Sequence, residues 1–179
     1  MKTRLVVGWI GALCVIFASS AALAAAASSA FSAVSAGARY HVASSVLQGL
    51  PYGDGDLSYG LAYEYHENAG FWLLGVDYTP SVSYYDTDYT LTPQIDLILQ
   101  DRYVVGGLGA LATWSSLPSS STRSEWSDVY YQFILGFDFQ IGGSFDIRAL
   151  AYYPFADWGK LGDFSTDDVE YGGYLVFRF

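Results

Sequence analysis

Along most of this chain apolar side chains recur at every second position, and the positions between them are small, polar or charged. The last eleven residues show the rule plainly. Val169, Tyr171, Gly173, Leu175, Phe177 and Phe179 fall on one face, and Glu170, Gly172, Tyr174, Val176 and Arg178 on the other. A period of two is that of a β-strand, whose successive side chains point to opposite sides. Segments 38–47, 57–67, 71–79, 88–100, 103–114, 127–140 and 144–155 are the seven earlier candidates, which predicts eight strands in all. Pro93 removes one ladder donor from the fourth, so a bulge or local gap is expected there. Gly106, Gly107 and Gly109 blur the fifth and leave its faces unassigned.

Two closed architectures compete for such a pattern. A soluble barrel of lipocalin type turns its greasy face inward and shows water a polar exterior. Here the mixed face is too small and charged to line a ligand cavity, and the opposite face is almost entirely aromatic and aliphatic, so in water it would aggregate. Surrounded by lipid, that same face belongs outside and the charges inside.

The connections favour lipid. After the first strand they run long, short, long, short, long, short, long, with tight turns near 68–70, 101–102 and 142–143. Short turns on one side and longer polar loops on the other mark an outer-membrane barrel with its short turns periplasmic. The strand lengths suit a tilted strand crossing a bilayer. Aromatics make up 18% of the chain. They gather near the short turns (Tyr65, Trp72, Tyr103, Phe139, Phe145, Phe179) and near the loops (Tyr59, Tyr78, Tyr89, Trp126, Tyr153, Tyr171), as two interfacial girdles would.

The beginning of the chain has the layout of a Sec export signal. Lys2 and Arg4 precede an apolar run too short to span, and Ala22-Leu23-Ala24 offers a small-residue cleavage site. The expected organisation is a cleaved signal over 1–24, a loose Ala/Ser lead-in over 25–37 and a barrel over 38–179. Removing Lys2 and Arg4 leaves 18 acids against six bases, a balance that argues against nucleic acid as partner. Cys14, the only cysteine, falls in the signal, so no disulfide is expected.

Residues 38–179 resemble the small eight-stranded outer-membrane proteins of Gram-negative bacteria, the OmpA/OmpX-type barrels. Phe179, with Phe177, Leu175 and Tyr171 at alternate positions, resembles the terminal signal by which such proteins reach the barrel assembly machinery. The resemblance implies an outer-membrane location among lipopolysaccharide, and no cofactor.

Facing inward on this reading are Arg39, His41, Glu64, His66, Asp77, Asp96, Asp138, Asp146, Arg148, Glu170 and Arg178. Eight strands leave an interior just wide enough for side chains to fill, so these read as an interlocked lumen network rather than an ion path, and buried charges there need partners. Some proteins of this architecture are lipid A deacylases or acyltransferases that use a histidine with a serine and an acid. His41 shares a face with Ser45, and His66 with Glu64, but a His-x-Ser element on a late strand is absent, so a structural and surface-interaction role is favoured over an enzyme or a narrow pore. The loops are acidic, and Asp163, Asp167 and Asp168 form a candidate weak site for Ca²⁺ or Mg²⁺ bridging to lipopolysaccharide or another surface partner.

Overall fold

The computed structural model describes residues 30–42, 50–67, 69–82, 87–116, 125–163 and 165–179; the candidate export signal lies outside them. Eight antiparallel strands form one closed sheet. They are β1 Phe31–Tyr40, β2 Leu57–Glu67, β3 Gly70–Val82, β4 Thr87–Asp101, β5 Val104–Leu111 continued by Trp114–Ser116, β6 Tyr130–Gln140 preceded by Glu125–Trp126, β7 Phe145–Phe155 and β8 Glu170–Arg178. Each strand pairs with the next, and β8 pairs back onto β1 from Tyr40↔Tyr171 to Ala33↔Arg178. Cross-strand partners lead from Phe31 through His66, Phe71, Ile98, Gly107, Ile134 and Tyr152 to Glu170, opposite the position beyond Tyr40. The circuit therefore closes ten residues along, at His41, a stagger that tilts the strands by about 45°.

The exterior is the greasy face. Trp72, Leu74, Leu97, Leu108, Phe137, Phe139, Ile147, Leu175, Phe177 and Phe179 are all exposed, which no water-soluble barrel tolerates over a continuous band. Tyr153 departs from the expected loop-side girdle, because it is buried. It lies beside Phe155, over which Trp158 of the 3-10 segment Trp158–Asp163 packs edge-on at 5.0 Å.

The first strand lies seven residues earlier than expected, so the barrel begins at Phe31 and takes in much of the supposed lead-in. The reason is the small residues that disguised it. Ala33, Ser35 and Gly37 face inward, where large neighbours need the space, and a Cβ at Gly37 would collide with the Gly173 carbonyl and the Tyr174 ring. The hairpin of β3 and β4 is also taller than expected. Pro80 pairs with Tyr89, and only residues 83–86 separate the two strands. The pairing of β2 with β3 ends at Tyr78, so Pro80 sits where its missing N–H costs no second ladder.

Pro93 does interrupt pairing. The β4–β5 ladder stops at Gln94↔Leu111 and resumes at Leu91↔Trp114 in the same register, so the interruption is a gap and no residue is inserted. In β5, Val105, Gly107, Gly109 and Leu111 face inward, which settles the faces that the glycines had obscured.

Candidate functional site

All eleven expected inward residues lie on the lumen side, where ten are buried and Arg178 is half-buried at the rim. The structure sorts nine of them into two clusters and a rim pair and sets Asp77 and Asp96 apart.

Toward the short turns, the Arg148 guanidinium bridges two acids. Its Nη1 and Nη2 donate to the two Glu64 carboxylate oxygens at 2.7 and 3.1 Å, and its Nε and Nη2 donate to Asp138 Oδ2 at 2.9 and 2.7 Å. Forked, charge-assisted bonds of this kind hold an arginine in one orientation. The guanidinium also lies 4.5 Å from the centroid of the Phe71 ring. His66 Nε2 donates to Glu64 Oε2 at 2.9 Å, and its ring is stacked between Phe31 and Phe71 at 4.2 and 4.3 Å. Below, Arg178 Nη2 donates to Asp146 Oδ1 at 2.5 Å and forms the rim pair.

Toward the loops, Arg39 donates from Nε to Glu170 Oε2 at 2.6 Å and from Nη1 to Gln132 Oε1 at 3.0 Å, with its guanidinium 4.0 Å from the Tyr152 ring centroid. His41 Nδ1 meets Glu170 Oε1 at 2.9 Å, and His41 Nε2 meets the Ser58 hydroxyl at 2.5 Å. Ser58 Oγ lies 2.6 Å from Thr79 Oγ1. Tyr52, from the connection after β1, stacks on His41 at 3.8 Å and bonds through its hydroxyl to Thr92 and to Thr113.

Asp77 and Asp96 belong to neither arginine, for among the described residues no ion pair includes them. Gln132 Nε2 donates to Asp96 Oδ1 at 2.7 Å, and Gln94 Nε2 reaches Asp77 Oδ1 at 3.5 Å. Amides thus meet the acids that outnumber the arginines. An interior void beside Asp77, Gln94, Arg148 and Tyr174 measures about 10 Å³, room for a single water at most.

Several members of the loop-side cluster went unnoticed in the sequence. Ser58 and Thr79 carry no charge, yet Ser58 shares its parity with Gly60, Ala62 and Glu64, which was the available signal. Gln94 and Gln132 share the parity of Asp96 and Asp138 on their strands, but carry no charge to single them out. Tyr52 lies outside the strands, where alternation says nothing. Ser45, which shares a face with His41 in the sequence pattern, lies outside the described residues, and the serine that meets the imidazole is Ser58.

Of the acidic loop residues, Asp167 is exposed and Asp168 is buried at the mouth. Among the described residues no group of three or more His, Cys, Asp or Glu could hold a metal ion, and the Asp163 side chain is not among those described. Tyr171, Leu175, Phe177 and Phe179 line the exposed outer face of β8 and its end.

No family model matches this chain, and no curated protein does. Solved structures do. The crystal structure of Neisserial surface protein A aligns over 84% of this chain and 96% of its own, with a TM-score of 0.50 and 14% identity. The Yersinia pestis outer-membrane protein Ail, in a phospholipid bilayer nanodisc, aligns over 84% of this chain and 100% of its own, with a TM-score of 0.48 and 15% identity. The chain has the fold of the small eight-stranded outer-membrane β-barrels.

Proposed function

We propose that this protein is an integral outer-membrane barrel with a closed lumen, whose working surface is its loop end. The observation that carries this reading is the contrast between the two sides of the sheet. Arginines, acids, histidines and amides pair with one another inside, while the outer wall exposes a band of Trp, Tyr, Phe and Leu. A wall of that kind is stable in hydrocarbon, and charges inside a narrow barrel persist only when paired. Conduction would require breaking the bridges around Arg148 and Arg39. Single barrels in planar bilayers are therefore expected to show only rare, small openings, and a steady large conductance would refute the closed lumen.

The partners follow from the two ends. Membrane lipid meets the band, lipopolysaccharide head groups meet the loops, and the terminal aromatics of β8 serve as the handle for the barrel assembly machinery. Phe179→Asp tests that handle. Near the membrane interface an acidic residue on the lipid face costs only about 0–1 kcal/mol, too little to unfold a barrel. Loss of most outer-membrane material with accumulation in the periplasm therefore supports recognition of Phe179 during assembly. Unchanged yield overturns it.

A further inference from the structure

The loop-side cluster contains more than an ion pair. Its hydrogen bonds can run in only one direction when the imidazole is neutral. The Glu170 carboxylate can only accept, so His41 carries its proton on Nδ1 and donates it to Oε1. Nε2 is then an acceptor, and the partner at 2.5 Å, the Ser58 hydroxyl, must donate to it. The Ser58 oxygen is left to accept from Thr79 at 2.6 Å. The second Glu170 oxygen is held by Arg39, which fixes the carboxylate. Hydroxyl, imidazole and carboxylate are thus in the order that activates a nucleophile.

The other Arg–Glu–His group shows that a packed lumen does not require this arrangement. His66 also bonds a glutamate that bonds an arginine, yet its ring is closed on both faces by Phe31 and Phe71. His41 has Tyr52 stacked on it, a residue outside the strands. Tyr52 is held by its stacking, by its hydroxyl bonds to Thr92 and Thr113, and by packing with Leu50, Leu111 and Tyr130. Lifting it leaves a ring-sized slot over the imidazole, with apolar walls and threonine hydroxyls at its far end.

We propose that Ser58, His41 and Glu170 form a serine-nucleophile triad at the loop-side mouth, covered by Tyr52, that cleaves carboxylic esters bearing a ring-sized or short-chain group. Ser58 Oγ forms a bond to the carbonyl carbon as its proton passes to His41 Nε2. The imidazolium is held by Glu170, the carbon–oxygen bond to the alcohol breaks, and His41 returns the proton to the departing oxygen. Water then attacks the acyl-serine by the same route and frees the acid and Ser58.

The test uses the full barrel folded in detergent, a phosphonyl fluoride probe that transfers phosphorus to an activated serine and releases fluoride, and p-nitrophenyl acetate as substrate. Tyr52→Ala is expected to speed labelling about tenfold over wild type, with the adduct mapped to Ser58. Adding Ser58→Ala should abolish the label, and adding His41→Gln should slow it by roughly 10²-fold, with ester hydrolysis following the same order. The heat-dependent gel shift of a folded barrel controls for unfolding. If Tyr52→Ala fails that control, a Thr92→Val/Thr113→Val pair releases the tyrosine hydroxyl and leaves the packing in place. An adduct on other serines, or a folded uncovered variant that labels no faster than the wild type, overturns the triad.

Discussion

The two ends of the lumen use the same three residue types and close them differently. Near the short turns Arg148, Glu64 and His66 are joined by Asp138, and every member, with the flanking Phe31 and Phe71, sits on a barrel strand. Near the loops Arg39, Glu170 and His41 are joined by the uncharged Gln132 and Ser58, and a tyrosine from a connection stacks on His41. In the first cluster the rings that flank the histidine are carried by strands held on both sides by ladder hydrogen bonds. In the second the ring over the histidine comes from a connection. The same chemical trio is thus packed by the wall at one end and by a loop residue at the other.

The largest expected effect comes from breaking each trio at its arginine. Arg148→Met leaves Glu64 with His66 as its only ion-pair partner and deprives Asp138 of its arginine, so it should cost about 3–5 kcal/mol, the usual loss when one member of a buried ion pair is removed. Arg39→Met strands one Glu170 oxygen and the neutral Gln132 acceptor, but Glu170 stays bonded to His41 and no second acid loses its partner, so roughly half that loss is expected. Urea unfolding in lipid, followed by tryptophan fluorescence, measures both. Equal losses would break the comparison, because the second acid on Arg148 would then count for nothing.

Alternation made the fold readable, since a closed barrel repeats it on every strand and loop lengths reveal which side each turn occupies. It failed where inward residues are small. Ala33, Ser35 and Gly37 leave no apolar rhythm, because the lumen gives that space to Tyr174 and other large side chains. The glycines of β5 hid its faces for the same reason, as a Cβ at Gly109 would strike the Asp96 carboxylate. Charge marked Arg148, Glu64 and Glu170 as lumen residues. Which carboxylate meets which arginine depends on the stagger of the barrel, and that is set by all eight pairings together. Ser58 and Tyr52 carry no charge to mark them, and only the closed geometry brings them to His41.

The smallest expected effect concerns the acids that stand between the two clusters in chemistry. Asp96 takes an amide proton from Gln132 and meets no arginine within ion-pair distance among the described residues. Asp96→Asn keeps a carbonyl oxygen for that bond, keeps the volume that Gly109 makes room for, and removes a charge that only an amide solvates. The change in unfolding free energy should stay within about 1 kcal/mol of zero, because one neutral hydrogen bond replaces one charge-assisted bond as a buried charge disappears. Gln132 also receives Arg39 Nη1, so the same measurement sharpens the boundary of the loop-side trio. A loss as large as that of Arg39→Met would make Asp96 a working member of that cluster, held to Arg39 through Gln132.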